Sequence, residues 1–420
     1  MVKLLKFIRW FYPGLKIKRW LFLLGAGIFL LVFAAIRFSL DRLLILKIFD
    51  AILFSLSLIT CSMASKYLTK SFFEALYPKK DKELIDIIYE KRYLSKGPRI
   101  VALGGGTGLS TILEGLKEYT ANINAIVAVA DEGGSSGILR AEFGILPPGD
   151  MRSCLVSLAE APQLMRDLFQ YRFQEGDGIK GHSFGNLFIT AMTQVTGSFQ
   201  EAIEESSKVL AIRGKVIPSS LDKIRLKAEY CDGSTKEGED KIPEEEKPIK
   251  KISLIPLEAK PNPEVIQAIK IADLIILGPG SLFTSILPNL LIKEISEAIS
   301  KRDIPKIYIC NVMTQHGETD NFTASDHVAA LTAHAGKDIL NCCIVNCGRL
   351  DNTLLLKYSK ENSFPVLPDV HRIKEKGPFV FEEDVVSKTD YLRHDPDQTA
   401  RTVINIYNTY KKIWKGLKKK

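Results

Sequence analysis

The sequence predicts an α/β protein with a doubly wound, Rossmann-like, mostly parallel sheet, preceded by two transmembrane helices. The first observation is a strand, a glycine turn and a helix in direct succession from Arg99 to Leu116. The second is that short apolar runs ending in glycine-rich turns recur along the chain, with helical patterns between them, as a parallel sheet requires. The third is a pair of apolar segments near the N-terminus.

The two apolar segments are residues 20–36, which carry no charge, and residues 48–64, which carry only Asp50. Each has about 17 residues, the short end of the range for a bilayer span. We therefore predict a membrane anchor over 1–65, a linker over 66–98 and one large domain over 99–420. A cleaved signal peptide is the alternative, but a second apolar segment and the lack of a small-residue cleavage site argue against it. We expect Asp50 to pair with Lys47, one turn earlier.

Basic residues set the expected orientation of the anchor. The stretch before the first span has no acid, and its basic residues are Lys3, Lys6, Arg9, Lys16, Lys18 and Arg19. The positive-inside rule then predicts a two-pass cell-membrane protein with the N-terminus and the large domain in the cytoplasm.

The distribution of charge excludes one class of partner. Residues 1–96 hold 17 basic and 7 acidic residues, a net charge of +10, whereas the whole chain carries +8, so the remainder carries −2. The large domain has no basic stripe interleaved with aromatic residues, so we expect no nucleic-acid partner.

The first glycine turn predicts an anion site. It follows the apolar run Ile100–Leu103 and precedes a helical pattern. Glycines allow positive φ and close backbone approach, and a helix N-terminus offers unpaired N–H groups to phosphate. The turn lacks the Lys-Ser/Thr pair of a P-loop and is out of register with G-x-G-x-x-G, so simple strand-to-helix geometry is the alternative. Its candidate ligand-binding residues are Gly104, Gly105, Gly106, Thr107 and Gly108.

Three further glycine-rich turns carry acids, hydroxyls, an arginine and a histidine. They are residues 131–137, which follow the apolar run 123–130, and residues 147–152 and 181–186. Such residue types in turns favour binding over packing. The alternatives are helix capping by the aspartates, an ion pair between Asp150 and Arg152, and a buried, hydrogen-bonded His182. The candidate ligand-binding residues here are Asp131, Gly133, Gly134, Ser135, Ser136, Asp150, Arg152, His182 and Asn186.

Two later strands are expected to end at the same sheet edge. Residues 272–277 run into a Gly-Pro-Gly-Ser turn and residues 304–310 into Asn311–Gln315. The carboxyl edge is where doubly wound sheets bind ligands. Glu318 and Asp320 could hold Mg²⁺ through water, or be solvated. The candidate ligand-binding residues are Gly278, Gly280, Ser281, Asn311 and Thr314.

The rest of the sequence contains a polar segment, seven cysteines and five further helical patterns. A polar segment, 232–250, holds too little apolar surface to pack and predicts a solvated hairpin. Seven cysteines without C-x-x-C spacing predict reduced thiols and no metal site. Helices are predicted over residues 151–160, 163–173, 182–195, 199–210 and 396–414.

Six motifs in order resemble the YvcK/CofD-like family, over about residues 99–401. They are GGGTGLS, VADEGGSSG, FGILPPGDMR, GHSFGNL, GPGSLFTSILPNLL and YICNVMTQHGETDNFTASDH. The family has two known branches: phospholactate transferases of deazaflavin cofactor biosynthesis, and YvcK-type factors for gluconeogenic growth and cell shape. The resemblance favours the second branch and implies that Tyr358 and Arg393 contact a UDP-sugar.

Two functions remain open from the sequence. The first is a membrane-tethered regulatory factor that binds a UDP-sugar and supports envelope synthesis, with envelope-synthesis proteins as partners. The second is a Mg²⁺-dependent transferase that moves a phospho-linked group from a nucleotide donor to an acceptor hydroxyl. No Ser-His-Asp pattern or metal cage is visible, which favours the first, and no catalytic residue or metal ligand is assigned. We also expect a homo-oligomer.

Overall fold

The computed structural model describes residues 17–40, 43–76, 93–387 and 391–417. The chain divides into an N-terminal unit, Met1–Tyr89, and a C-terminal unit, Glu90–Lys420. The basic residues before Ile17, on which the predicted orientation mostly depends, and much of the predicted linker lie outside the described residues.

The N-terminal unit is a pair of long helices. Helix α1 spans Ile17–Leu40 and helix α2 spans Leu44–Leu76, so both extend beyond the predicted 20–36 and 48–64. Charged residues flank each apolar segment, and a helix can continue through them because its hydrogen bonds are internal. Both helices are long and apolar enough to cross a membrane. Helix α2 also enters the segment predicted as linker.

Small residues bring α1 and α2 together. Ala34 and Ala64 are fully buried, and a Cβ atom at Gly27 would lie 2.7 Å from Cys61 Sγ. Asp50 is fully buried and lies 3.5 Å from Arg37 Nε. The expected pairing of Asp50 with Lys47 is therefore replaced by a contact between the two helices, because Asp50 faces α1.

The C-terminal unit contains a seven-stranded sheet in which every neighbouring pair is parallel. A three-stranded antiparallel sheet accompanies it. The predicted doubly wound α/β class is confirmed. The strands in chain order are β1 (Ile100–Gly104), β2 (Ile123–Val127), β3 (Lys215–Pro218), β4 (Arg225–Tyr230), β5 (Thr235–Glu237), β6 (Ile249–Ile255), β7 (Leu274–Leu277), β8 (Lys306–Ile309), β9 (Cys342–Asn346) and β10 (Phe379–Glu383).

Helices connect these strands, and they begin at residues with the expected turn chemistry. The predicted helix 182–195 starts at Phe184 because the side chain of Ser183 caps it, accepting from the Asn186 N–H at 3.3 Å. The helices are α3 (Gly106–Leu116), α4 (Gly134–Phe143), α5 (Gly149–Leu158), α6 (Gln163–Gln170), α7 (Phe184–Thr196), α8 (Phe199–Leu210), α9 (Pro263–Ile271), α10 (Leu287–Leu290), α11 (Lys293–Ser300), α12 (Ala324–Ala335), α13 (Asn352–Ser359), α14 (Val370–Glu375) and α15 (Pro396–Leu417).

The strand order creates one topological switch point. The sheet reads β10-β9-β8-β7-β1-β2-β3, so the chain moves from β1 to β2 and β3 on one side and later returns to β7 on the other. In register, Ile100 lies opposite Ile123 on one side and Leu274 on the other. Connections that leave β1 and β7 in opposite directions open a crevice at the carboxyl ends of those strands, where such sheets bind ligands.

The core surrounds the central strands. Every residue of β1, β7 and β8 is buried, as expected for a parallel sheet covered on both faces. Helix α15 packs on α3 so closely that a Cβ atom at Gly115 would collide with the Pro396 carbonyl. The predicted role of the last helix in closing the core is therefore confirmed over its described side chains.

The first part of the polar segment 232–250 forms the predicted exposed hairpin, because β5 pairs with β4 through a tight turn, but the rest of the segment packs on the domain. Strand β5 pairs with β4, and the sheet order is β5-β4-β6. Ile242 is fully buried, and its carbonyl accepts a hydrogen bond from Tyr230 Oη at 2.9 Å. The prediction was wrong for the part around Ile242, because one apolar residue and the Tyr230 ring suffice to anchor a short segment against an existing domain.

Candidate functional site

The turn after β1 touches the turn after β7 directly. A Cβ atom at Gly108 would collide with the Pro279 carbonyl and lie 2.6 Å from Gly280 Cα. Gly106, the first residue of α3, has φ +57°, and Gly278 has φ +77°, conformations that favour glycine. The glycines therefore allow the two turns to approach each other closely and supply the two positive-φ conformations that the turns contain.

Asn311, which follows β8, fixes the β7 turn from the opposite side. Its Nδ2 donates to the Gly280 carbonyl at 2.8 Å, and its Oδ1 accepts from the Gly280 N–H at 3.2 Å. Three strand ends thus meet around one cleft, which we call the switch-point cleft. Its lining includes Thr107, Gly108, Gly280, Asn311, Leu392 and Arg393.

Arg393 reaches this cleft from the C-terminal part of the chain. Its guanidinium lies 4.9 Å from the centre of the Tyr391 ring and pairs with no carboxylate among the described residues. The neighbouring His394 is buried, and its Nε2 lies 3.1 Å from the Cys310 carbonyl oxygen. Burial lowers the pKa of His394 to about 4, so it is neutral and ties the Arg393 segment to β8.

Four carboxyl groups converge beside the same turns. Asp150 lies against the first glycine turn, where a Cβ atom at Gly105 would collide with its Oδ2. Asp131 accepts from the Gly133 N–H at 3.0 Å and contacts the start of α5 near Gly149. Glu318 accepts hydrogen bonds from Ser281 Oγ, from Thr284 Oγ1 at 3.3 Å and from Gln315 Nε2 at 2.6 Å. The fourth, Glu239, comes from the segment after β5. We call these four residues the carboxyl cluster.

Burial and mutual repulsion make the carboxyl cluster retain protons. Burial, and then the charge of Asp131, raise the pKa of Asp150 to about 7, against the hydrogen bond from the Gly106 N–H. Burial raises the pKa of Glu318 to about 7. Burial, and then the charges of Asp131, Glu318 and Asp150, raise the pKa of Glu239 to about 8. Groups that titrate near neutral pH can exchange protons with a bound molecule.

A third group of predicted residues forms a buried hydrogen-bonded set. Ser135 Oγ lies 2.9 Å from His182 Nδ1, and Asn186 Nδ2 donates to the same Oγ at 3.1 Å. All three side chains are buried. Arg152 packs beside them, because a Cβ atom at Gly185 would lie 2.8 Å from its aliphatic carbons. Burial lowers the pKa of Arg152.

Some predicted residues lie elsewhere. Thr314 is buried and tied to the backbone of Phe364 through its own N–H and Oγ1, and Tyr358 packs on the apolar group formed by Val312, Met313 and Leu392, behind the cleft. Glu318 and Asp320 do not face a common point, since Asp320 accepts from the Gly317 N–H at 2.7 Å. The other predicted residues, Gly133, Gly134 and Ser136, lie at the start of α4 beside Asp131.

Sequence reasoning missed Glu239. Its neighbours are polar, and nothing local marks it as a site residue, because the groups that interact with it, the Asp131 charge and the Thr284 side chain, come from distant parts of the chain. The glycine before it, Gly238, is buried at φ +107° and hydrogen-bonds the Leu226 carbonyl, which directs Glu239 inward. Only the tertiary fold reveals this.

The described side chains at the site do not form a metal-binding group of their own. Within the described ranges, no group of three or more His, Cys, Asp or Glu side chains is placed to hold a metal ion. The arrangement therefore does not provide a protein-only Mg²⁺ cage. Mg²⁺ usually binds through one or two carboxylates together with substrate phosphates, so the free protein need not contain such a cage.

Comparison with known proteins agrees with this architecture. Residues 100–386 match the family model described as 2-phospho-L-lactate transferase CofD. The chain is 46% identical to the gluconeogenesis factor of Bacillus subtilis over 314 residues, which cover 74% of this chain and 99% of that protein. A relative from Nostoc sp. is 43% identical over 423 residues, which cover 96% of this chain and 93% of the relative.

A solved structure resembles the C-terminal part of the chain. It is the crystal structure of a Bacillus halodurans protein, with 47% identity and a TM-score of 0.72, and the match covers 74% of this chain and 100% of that one. The family match over residues 100–386 does not include the N-terminal helices, whereas the Nostoc match, over 96% of this chain, extends over most of them. From the family match and these identities, the chain belongs to the CofD/YvcK family.

Proposed function

We propose that this protein binds a UDP-sugar in the switch-point cleft and acts as a membrane-tethered regulatory factor. The observation that carries the proposal is that the Arg393 guanidinium, which forms no ion pair with a described carboxylate, lies in the same cleft as the glycine turns of β1 and β7. A diphosphate needs hydrogen-bond donors and positive charge, and backbone N–H groups with one guanidinium supply both.

The cleft has chemistry for the rest of the ligand. Val312, Met313 and Leu392 give it an apolar wall, and Tyr358 packs behind that wall. A uracil ring can pack on such a surface, while the hydroxyl groups of a sugar can reach acceptors in the carboxyl cluster, which borders the same two turns. In the proposed binding mode, the diphosphate of the UDP-sugar therefore lies over Gly108 and Gly280.

The role as a regulatory factor rests on the relatives. Proteins 41–48% identical to this chain include the gluconeogenesis factors of Bacillus subtilis and Listeria monocytogenes. We propose the same broad role here, coupled to cell shape and envelope synthesis. The partners in envelope synthesis and the homo-oligomeric state stay predictions.

Membrane tethering is the second element of the proposal. Helices α1 and α2 expose large apolar side chains such as Phe22 and Ile45, which are 79% and 81% exposed. Trp20 stacks on Tyr67 with ring centres 4.5 Å apart, and Arg19 lies over Trp20, an aromatic and basic grouping typical of a membrane interface. Two spans return the chain to its starting side, so the large domain would be cytoplasmic.

One observation favours a second candidate, a transferase of the CofD type. The carboxyl cluster includes groups with pKa values of about 7 and 8, near the value suited to a general base at neutral pH. Such a base could take the proton of an acceptor hydroxyl as its oxygen attacks a phosphorus atom of a bound nucleotide and a nucleoside monophosphate leaves.

Calorimetry with the full chain in detergent separates the two functions. Titration with a panel of UDP-sugars should give saturable binding in the micromolar range and leave the nucleotide unchanged. Nucleotide consumption that depends on Mg²⁺ and an acceptor would favour the transferase. If none of the UDP-sugars or other nucleoside diphosphates tested binds, both proposed functions are contradicted.

A further inference from the structure

A second cavity lies beside the carboxyl cluster and has a different charge. It has a volume of about 390 Å³ and is lined by four basic residues, Arg140, Lys223, Arg225 and Lys241, against two acidic ones. The acids are Glu132 and Asp240. The cavity lining therefore carries two positive charges in excess. We call it the basic cavity.

One carboxylate is shared by two arginines in this cavity. Glu132 Oε1 accepts from Arg225 Nε at 2.9 Å and lies 4.0 Å from Arg140 Nη2. Arg140 is held in place by the Ile224 carbonyl, which its Nη2 reaches at 2.5 Å, and its side chain is only 12% exposed. Two guanidiniums thus face one cavity with a single negative charge between them, and an incoming anion would reduce their repulsion.

The two lysines add charge that nothing in the described structure neutralises. Neither Lys223 nor Lys241 forms an ion pair with a described carboxylate. Lys223 Nζ lies at the end of α4, 3.4 Å from the position a Cβ atom would take at Gly144. Exposed lysines can turn toward a ligand at little cost, since their side chains are flexible.

The basic cavity is separated from the carboxyl cluster by two chain segments. Asp131 and Glu239 belong to the carboxyl cluster, whereas the next residues, Glu132 and Asp240, line the basic cavity. Gly238 allows the two segments to meet, because a Cβ atom there would lie 3.3 Å from Glu132 Oε2. The cavity shares no lining residue with the switch-point cleft.

We propose that the basic cavity binds a small phosphorylated metabolite, a sugar monophosphate, as a second ligand. The arginines and lysines would hold the phosphoryl group, and the carboxylates of Glu132 and Asp240 would accept hydrogen bonds from sugar hydroxyls. This ligand is distinct from the nucleotide of the switch-point cleft. It would contact both segments that also form the carboxyl cluster.

The test uses the full chain in detergent, with glucose 6-phosphate as the probe. Calorimetry measures the binding. We expect saturable binding of glucose 6-phosphate and none of glucose. Lys223→Ala combined with Lys241→Ala should raise the Kd for glucose 6-phosphate at least about tenfold. Lys270→Ala, which removes an exposed lysine of α9 outside the cavity, should leave the Kd unchanged. All three positions are exposed, so the fold should tolerate these changes.

Arg393→Ala distinguishes this site from the switch-point cleft. It should leave the Kd for glucose 6-phosphate unchanged, and the double lysine variant should leave UDP-sugar affinity unchanged. Failure of the wild-type chain to bind glucose 6-phosphate would overturn the proposal. So would equal affinity in the double lysine variant, or loss of binding in Arg393→Ala.

Discussion

The side-chain amide of Asn311 holds the backbone of Gly280 through both of its polar atoms: Nδ2 donates to the Gly280 carbonyl at 2.8 Å, and Oδ1 accepts from the Gly280 N–H at 3.2 Å. This pair joins the end of β8 to the turn after β7. The same turn packs on Gly108 of α3, so Asn311 indirectly sets the width of the switch-point cleft. Three separate strands are thereby held in one geometry before any ligand arrives.

Asn311→Ala should weaken UDP-sugar binding by about 1–2 kcal/mol, which corresponds to roughly five- to thirtyfold in Kd. Both backbone groups of Gly280 lose their partner, so the turn becomes free to move. Calorimetry measures the change. Asn408→Ala, on an exposed position of α15, is the control and should bind as the wild type does. Equal affinity in Asn311→Ala would mean that the clamp does not shape the site.

Gly108→Ala should be far more damaging than an alanine at a neighbouring glycine with room for it. A methyl group at Gly108 would collide with Pro279 and Gly280 and separate the two turns, at a cost of about 1–3 kcal/mol in unfolding free energy. Gly133 has φ −81° and its nearest contact is 3.5 Å away, so Gly133→Ala is the control. Thermal unfolding of both variants provides the comparison. Similar stabilities would contradict the close approach.

The C-terminal unit should fold without the two N-terminal helices. The Bacillus subtilis relative and the Bacillus halodurans structure are matched over 99% and 100% of their lengths by about three quarters of this chain. A truncated chain that begins at Glu90, the first residue of this unit, should therefore be soluble without detergent and unfold cooperatively, while the full chain should sediment with membranes. Aggregation of the truncated chain would show that α1 and α2 contribute to its core.

Topology can be measured on cells. Protease added to intact spheroplasts should leave the large domain uncut, and protease added after lysis should cleave it. Cleavage in intact spheroplasts would contradict the cytoplasmic orientation.

The carboxyl cluster should make the domain less stable as pH rises. The pKa of Glu239 is raised on folding from 4.5 to about 8, so the folded protein keeps a proton that the unfolded chain has already lost. The contribution of Glu239 to stability is therefore fully present below about pH 4.5 and is lost as the pH rises through about 8. The pKa values of Asp150 and Glu318, about 7, act in the same direction.

Glu239→Gln should flatten this dependence. The amide has no proton to lose, so the unfolding free energy of the truncated chain at pH 8 should rise by about 1–3 kcal/mol, with little change at pH 5. Denaturant unfolding at the two pH values measures it. Glu244→Gln replaces an exposed carboxyl on the same segment and should change neither value. A parallel shift at both pH values would remove Glu239 from the cluster.

The sequence predicts those parts of the fold and of the site that depend on residues close together along the chain. The glycines within residues 104–108 and 278–280 mark the turns because backbone geometry at a strand end needs them, and the apolar runs before them mark the buried strands. The contacts of Glu239 and Glu318 were not predictable, since they depend on how segments more than 30 residues apart meet. Tyr358 was expected from family resemblance alone, and it lies behind the apolar wall of the cleft.

The most direct test of the proposed function is UDP-sugar binding by Arg393→Ala, measured by calorimetry. Loss of a charged hydrogen bond to the diphosphate should cost about 1.5–3 kcal/mol, so the Kd should rise about ten- to a hundredfold. Arg349→Ala removes an exposed arginine outside the cleft and should leave the Kd unchanged. A Kd for Arg393→Ala equal to that of the wild type would contradict a diphosphate site at the switch point.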